Sequence, residues 1–186
     1  MSEGSRARLP VRVLAVGSCH GDDQAGWQAL DLLRLEHLPG VELRHLSTPL
    51  ELLDHLQDCR ALVVLDACRG GLQPGSIVRL PWPLPSIESP QGASSHGMGV
   101  VATLALAESL RMSLPPITLL AVEVATCQPG AKLSPAVRNA LPELCRYALH
   151  EVRTYPSPSP FPSPQLGGKG QAKEEDTQSA AARNHA

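Results

Sequence analysis

The chain has 186 residues, enough for one domain with a substantial buried core. Its formal net charge of −2 leaves none of the basic surplus that nucleic-acid binding needs. No run of 18 apolar residues occurs, and "MSEGSRARLP" has no apolar core of a signal peptide, so neither a membrane span nor secretion is expected.

"VRVLAVG" is a short apolar run ending in Gly17, predicted to be a first buried strand. Ser18, Cys19, His20, Gly21, Asp22 and Asp23 follow, then a predicted helix, "QAGWQALDLLRLEHL", with Trp27, Leu30 and Leu33 at helical spacing. "PGVELRHL" gives a turn and a second strand, polar enough for an edge. "PLELLDHLQDC" reads as a short amphipathic helix. "RALVVLDACRGG" is a third strand, apolar on both faces until Asp66, which requires helices on both sides of the sheet. "PGSIVRL" is a further strand and "PWPLPSIESPQGAS" a proline-rich loop. "VATLALAESLRM" is a helix ended by "SLPP", "ITLLAVEVA" a buried strand, and "CQPGAK" a turn. "LSPAVRNALPELCRYALHEV" is a last helix, with Ser134 and Pro135 suited to its cap and first position. Pro142 is expected to kink or restart it.

This order predicts an α/β three-layer sandwich with a mostly parallel central sheet flanked by helices. Residues 1–10 are expected to be a flexible N-terminus and 11–155 a single α/β domain. Residues 156–186, rich in Pro, Ser, Gly and charge, are expected to be a disordered tail. The five cysteines are scattered, with no CxxC pair, as in a reduced cytoplasmic protein.

Ligands of open α/β sheets bind at the carboxyl ends of the strands. Asp23, Asp66 and His96 fall near that edge. Two carboxylates and one imidazole suit nickel, zinc or iron. Each also has a plainer role: Asp23 as a helix cap, Asp66 as an acceptor for backbone amides, His96 as a cap or solvated side chain. Asp22 reads as the structural member of its pair, and Cys19 and His20 as solvated loop residues. Cys68 beside His96 is a possible nucleophile, although buried structural thiols are commoner. The chain lacks GxGxxG, a GKS or GKT phosphate loop, GxSxG and HExxH.

Four segments in order resemble the hydrogenase maturation endopeptidases, which trim the C-terminus of the large subunit of nickel–iron hydrogenases. They are Gly17-Ser18 with Asp22, Asp23 and Gly26; "VVLDACRGGLQPGSIVRL"; "SSHGMGVVATLALAESL"; and "LLAVEVATCQPGAKLSPAVRNAL". The resemblance runs from about Val11 to Val152 and is nearest to members serving soluble or bidirectional hydrogenases. Ser18 and Gln24 depart from the family's Asn and Gly, and the loop before Asp22 is one residue shorter.

The resemblance implies an endopeptidase that removes the C-terminal extension of a nickel-loaded hydrogenase large-subunit precursor. Asp23, Asp66 and His96 carry over as catalytic and metal-contacting residues. Nickel is then recognised in the precursor, with no tightly bound cofactor expected in the isolated protein. A cytoplasmic monomer is expected, with no nucleic-acid or membrane partner. A non-catalytic nickel-sensing chaperone, another small metal-dependent hydrolase and a purely structural domain stand as alternatives at this stage.

Overall fold

A computed structural model describes residues 9–84 and 99–155. Five strands form one sheet: β1 (Val11–Val16), β2 (Val41–Leu46), β3 (Ala61–Cys68), β4 (Ile77–Trp82) and β5 (Ile117–Glu123). Their spatial order is β2-β1-β3-β5-β4, parallel throughout except for β4, which runs antiparallel to β5. The helices are α1 (Ala25–Leu33), α2 (Val100–Ser109) and α3 (Pro135–Arg153), with 3-10 segments at Gly21–Gln24 and Pro49–His55. The three-layer α/β arrangement expected from the element order is therefore the observed one.

The pleat divides the core in two, because successive side chains of a strand point to opposite faces. Val11, Val13, Ala15, Val63 and Leu65 pack under α1 and α3, against Leu30, Leu33, Val137, Leu144 and Ala148. Leu14, Val16, Leu62 and Val64 face the other way, against Leu52 and Leu56 of the second 3-10 region and Val100, Leu104 and Ala107 of α2. Gly26 lets α1 sit close to the sheet, since a Cβ there would come within 3.0 Å of the carbonyl oxygens of Val16 and Leu65.

Three expectations are modified. The first helix stops at Leu33 rather than near residue 38, and Leu35 beyond it is 82 % exposed. The segment after Thr48 is 3-10 rather than α, seven residues long with Pro49 at its start. α3 continues through Pro142, an exposed position, without a break, so the helix is not restarted there. β2 is an edge strand as expected. β4 also takes in Pro81 and Trp82 from the start of the predicted proline loop. The rest of that loop from residue 85, and the predicted tail 156–186, lie outside the described residues. No helix among the described residues is long and apolar enough to cross a membrane.

Candidate active site

From β1 the chain continues through α1 to β2 on one side, whereas β3 lies on the other. The space between the carboxyl ends of β1 and β3 is thus a topological switch point, where the connections diverge and leave a crevice. Asp23 follows β1 and Asp66 lies near the end of β3, so both flank that crevice.

The turn after β1 is tightly built. Gly17 has φ 158°, and a Cβ on it would collide with the carbonyl oxygen of Asp23. Ser18 N donates to Asp23 O at 3.4 Å, and Asp23 N donates to His20 O at 3.1 Å. The two adjacent carboxylates are separated by this fold.

Asp22 turns inward and is fully buried. Its Oδ2 accepts from Ala125 N (2.8 Å) and Thr126 N (3.1 Å), and its Oδ1 from Ser134 N (2.6 Å). Burial works to raise its pKa, but these amide donors outweigh it and the net shift is downward. Asp22 thereby clamps the loop between β5 and α3 to the turn after β1. Its role is structural, as expected, though it braces a distant loop rather than capping α1. Asp23 is left partly exposed beside the crevice.

Asp66 accepts a hydrogen bond from the backbone N–H of Ala67 at 2.9 Å. Burial pushes its pKa up to about 7; the Ala67 hydrogen bond opposes this and the negative charge of Asp23 adds to it. The structure therefore brings Asp23 and Asp66 within electrostatic reach of each other. His96 lies outside the described residues. Among the described residues no group of three His, Cys, Asp or Glu side chains is placed to hold a metal ion.

Three further residues shape this edge. Glu123, 2 % exposed at the end of β5, accepts from Gly70 N (2.8 Å), Gly71 N (3.0 Å) and the Cys68 thiol (3.7 Å). It fixes the loop that leaves Asp66. Burial, with the charges of Glu123 and Asp66, pushes the Cys68 thiol up to about 12, so it is protonated at neutral pH and not an activated nucleophile. Burial also raises Cys127, with the negative charge of Asp23 adding to it and the positive charge of Arg69 opposing it. The sequence alone points to Cys68 at this edge but not to Cys127, Arg69 or Glu123. Their positions just after β5, just after β3 and at the end of β5 were the available signal. His20 is exposed, and its Nδ1 accepts from Gly130 N at 3.3 Å, so this loop residue is tied to the β5–α3 loop.

Fold and site together define an α/β protein with a pair of carboxylates at its switch point. Residues 47–151 match the model of the HycI hydrogenase maturation protease family, and the chain belongs to that family. It is accordingly a peptide-bond hydrolase, a hydrogenase maturation endopeptidase. The fold is similar to that of the hydrogenase maturating endopeptidase HybD from E. coli: TM-score 0.64, 20 % identity, covering 78 % of this chain and 93 % of that one. It is similar to the nickel–iron hydrogenase maturation protease HybD from Thermococcus kodakarensis as well, with TM-score 0.63, 23 % identity and coverage of 77 % and 99 %. For the protease HycI from Thermococcus kodakarensis KOD1 the TM-score is 0.60, at 16 % identity and coverage of 78 % and 93 %. No curated protein sequence matches the chain.

Proposed function

We propose that this endopeptidase removes the C-terminal extension of a nickel-loaded hydrogenase large-subunit precursor, and that Asp23, Asp66 and His96 recognise the nickel carried by that substrate. The observation that supports it most is the placement of Asp23 and Asp66 at the carboxyl ends of the neighbouring strands β1 and β3, where the negative charge of Asp23 reaches Asp66. Two carboxylates that oppose each other's charge form a site that a cation relieves. A near-neutral Asp66 also suits proton transfer, because an acid–base group works best with a pKa near the operating pH. In this reading a water adds to the scissile carbonyl carbon and gives a proton to a carboxylate. The C–N bond then breaks and the proton passes to the leaving amine.

The topology favours the inclusion of His96. α2 leads by a short connection into the amino end of β5, so its first turn points back toward the carboxyl edge. His96 precedes that helix by four residues in sequence. The enzyme is proposed to act as a cytoplasmic monomer, on the soluble or bidirectional type of hydrogenase, and to carry no tightly held metal of its own.

The test is the mass of purified precursor, nickel-loaded or nickel-free, after incubation with the protein. Shortening of the nickel-loaded form alone is expected. Asp23→Asn, Asp66→Asn and His96→Ala should each keep a folded circular-dichroism spectrum and lose roughly 100-fold or more in rate. An unshortened nickel-loaded precursor overturns the proposal.

A further inference from the structure

Beside the 3-10 turn that carries Asp23 lies a cleft of about 380 Å³. Cys19, Gln24 and Gln28 line one side, and Lys132, Leu133 and Arg138 the other. The two sides are held together, because Gly21 N donates to Ala131 O at 2.9 Å and Asp22 grips Ser134 N. Gln24 Nε2 donates to Gly21 O at 2.7 Å, and Gln24 Oε1 accepts from Gln28 Nε2 at 2.5 Å. Arg138 Nη2 donates to Leu133 O at 3.1 Å, which anchors the guanidinium and leaves its other N–H groups to spare.

No carboxylate lines the cleft, and neither Lys132 nor Arg138 has an ion-pair partner among the described residues. Both side chains are exposed, and together they give the concavity a positive charge that no carboxylate along its walls offsets. Ammonium and guanidinium groups can only donate, so their partner is an anionic acceptor. The cleft is large enough for a few residues of peptide and too small for a folded partner. Gln24 follows Asp23 in the 3-10 turn Gly21–Gln24, so one wall of the cleft belongs to the turn that carries Asp23.

We infer that this cleft is a substrate subsite that takes a carboxylate borne by the polypeptide being cleaved, supplied by either an acidic side chain or a free C-terminus. The inference rests on the endopeptidase reading and adds to it the charge that the substrate presents next to the cleavage site. Opposite charges on the two sides of the switch-point turn would then orient the chain. The cationic cleft holds the peptide's anion, and the carboxylate pair faces the nickel.

Three short peptides of otherwise neutral sequence test it: one with a free C-terminal carboxylate, one amidated, and one amidated with an internal glutamate. Each is titrated into the full chain and followed through backbone amide NMR signals. Binding of a carboxylate-bearing peptide is expected, with shifts at Lys132, Leu133 and Arg138 and weakening at high salt. Binding of only the first identifies a C-terminus, and binding of only the third an acidic side chain. Lys132→Gln, and the double variant with Arg138→Gln, should weaken it, the double by about tenfold. The double variant should raise KM for the precursor by a similar factor with kcat nearly unchanged. Equal binding of the plain amidated peptide, or unaltered affinity in the double variant, overturns the subsite. Processed precursor with an unchanged KM overturns it too and leaves the endopeptidase reading standing. Peptide binding without any processing supports the subsite and overturns the nickel-precursor reading instead.

Discussion

The carboxyl of Asp66 near the end of β3 is held near neutrality by its burial, and the negative charge of Asp23, in the turn after β1, raises it further. Removing that charge should therefore lower the Asp66 pKa. An Asp23→Asn variant, titrated by carboxyl carbon NMR, should show Asp66 ionising at a lower pH than in wild type. An unmoved Asp66 titration means that the two side chains are not coupled.

Asp66 also has a consequence for stability. Its folded pKa of about 7 lies above the ordinary carboxylate range, so between roughly pH 4 and 7 the native state holds a proton that the unfolded state has lost. The stabilisation from that proton is present at acid pH and is lost as pH rises through about 7. Asp66→Asn, which cannot ionise, should be more stable than wild type at pH 8 by on the order of 1–3 kcal/mol, while cleavage collapses. Urea unfolding at acid and alkaline pH checks this. A variant less stable than wild type at pH 8 contradicts it.

Asp22→Ala should destabilise by about 2–4 kcal/mol, because it strands the amides of Ala125, Thr126 and Ser134 in a buried site. Asp22→Asn keeps one carbonyl acceptor and should cost about half as much. Thermal unfolding gives the comparison. Amide hydrogen exchange should speed up selectively around residues 125–134 in Asp22→Ala if the clamp acts as described.

Glu151 of α3, 4 % exposed at its side chain, is gripped by Arg79 of β4 at 2.6 and 3.1 Å and by the Thr118 hydroxyl of β5 at 3.1 Å. The Arg79 hydrogen bonds hold its pKa below the usual value despite burial. A depressed carboxylate contributes stability above its unfolded pKa of about 4.3 and loses it as pH falls through the folded one. Arg79→Met should thus cost about 2–3 kcal/mol at pH 7, with the difference shrinking toward pH 3. A pH-independent difference in urea midpoints contradicts the linkage.

The thiols should be dispensable for chemistry. The Cys68 thiol donates a hydrogen bond to Glu123 and is pushed up to about 12, and Cys127 is raised by burial, so neither is a thiolate at neutral pH. A Cys19→Ala, Cys68→Ala, Cys127→Ala protein should retain most cleavage of precursor, with a cost of about 1 kcal/mol in stability from lost packing. A folded triple variant without activity would make thiol chemistry the leading mechanism.

The sequence by itself determined what rests on neighbours along the chain. The apolar runs around Val13, Val64 and Leu120 marked β1, β3 and β5, and Ser134-Pro135 marked the start of α3. The four motifs, taken in order, carried the family resemblance. These features follow from periodicity and local backbone preference, which a single stretch of residues contains. Tertiary structure alone decided the rest. The sheet order β2-β1-β3-β5-β4 put the switch point between β1 and β3, and so set Asp23 opposite Asp66. Asp22 found its donors in residues 125–134, about a hundred positions away, and Glu123 reached back to the loop after β3. A carboxylate's pKa depends on how much water it loses and which charges face it, and both are set by elements distant in sequence. The near-neutral Asp66 and the cationic cleft of Lys132 and Arg138 therefore came into view only once the chain was folded.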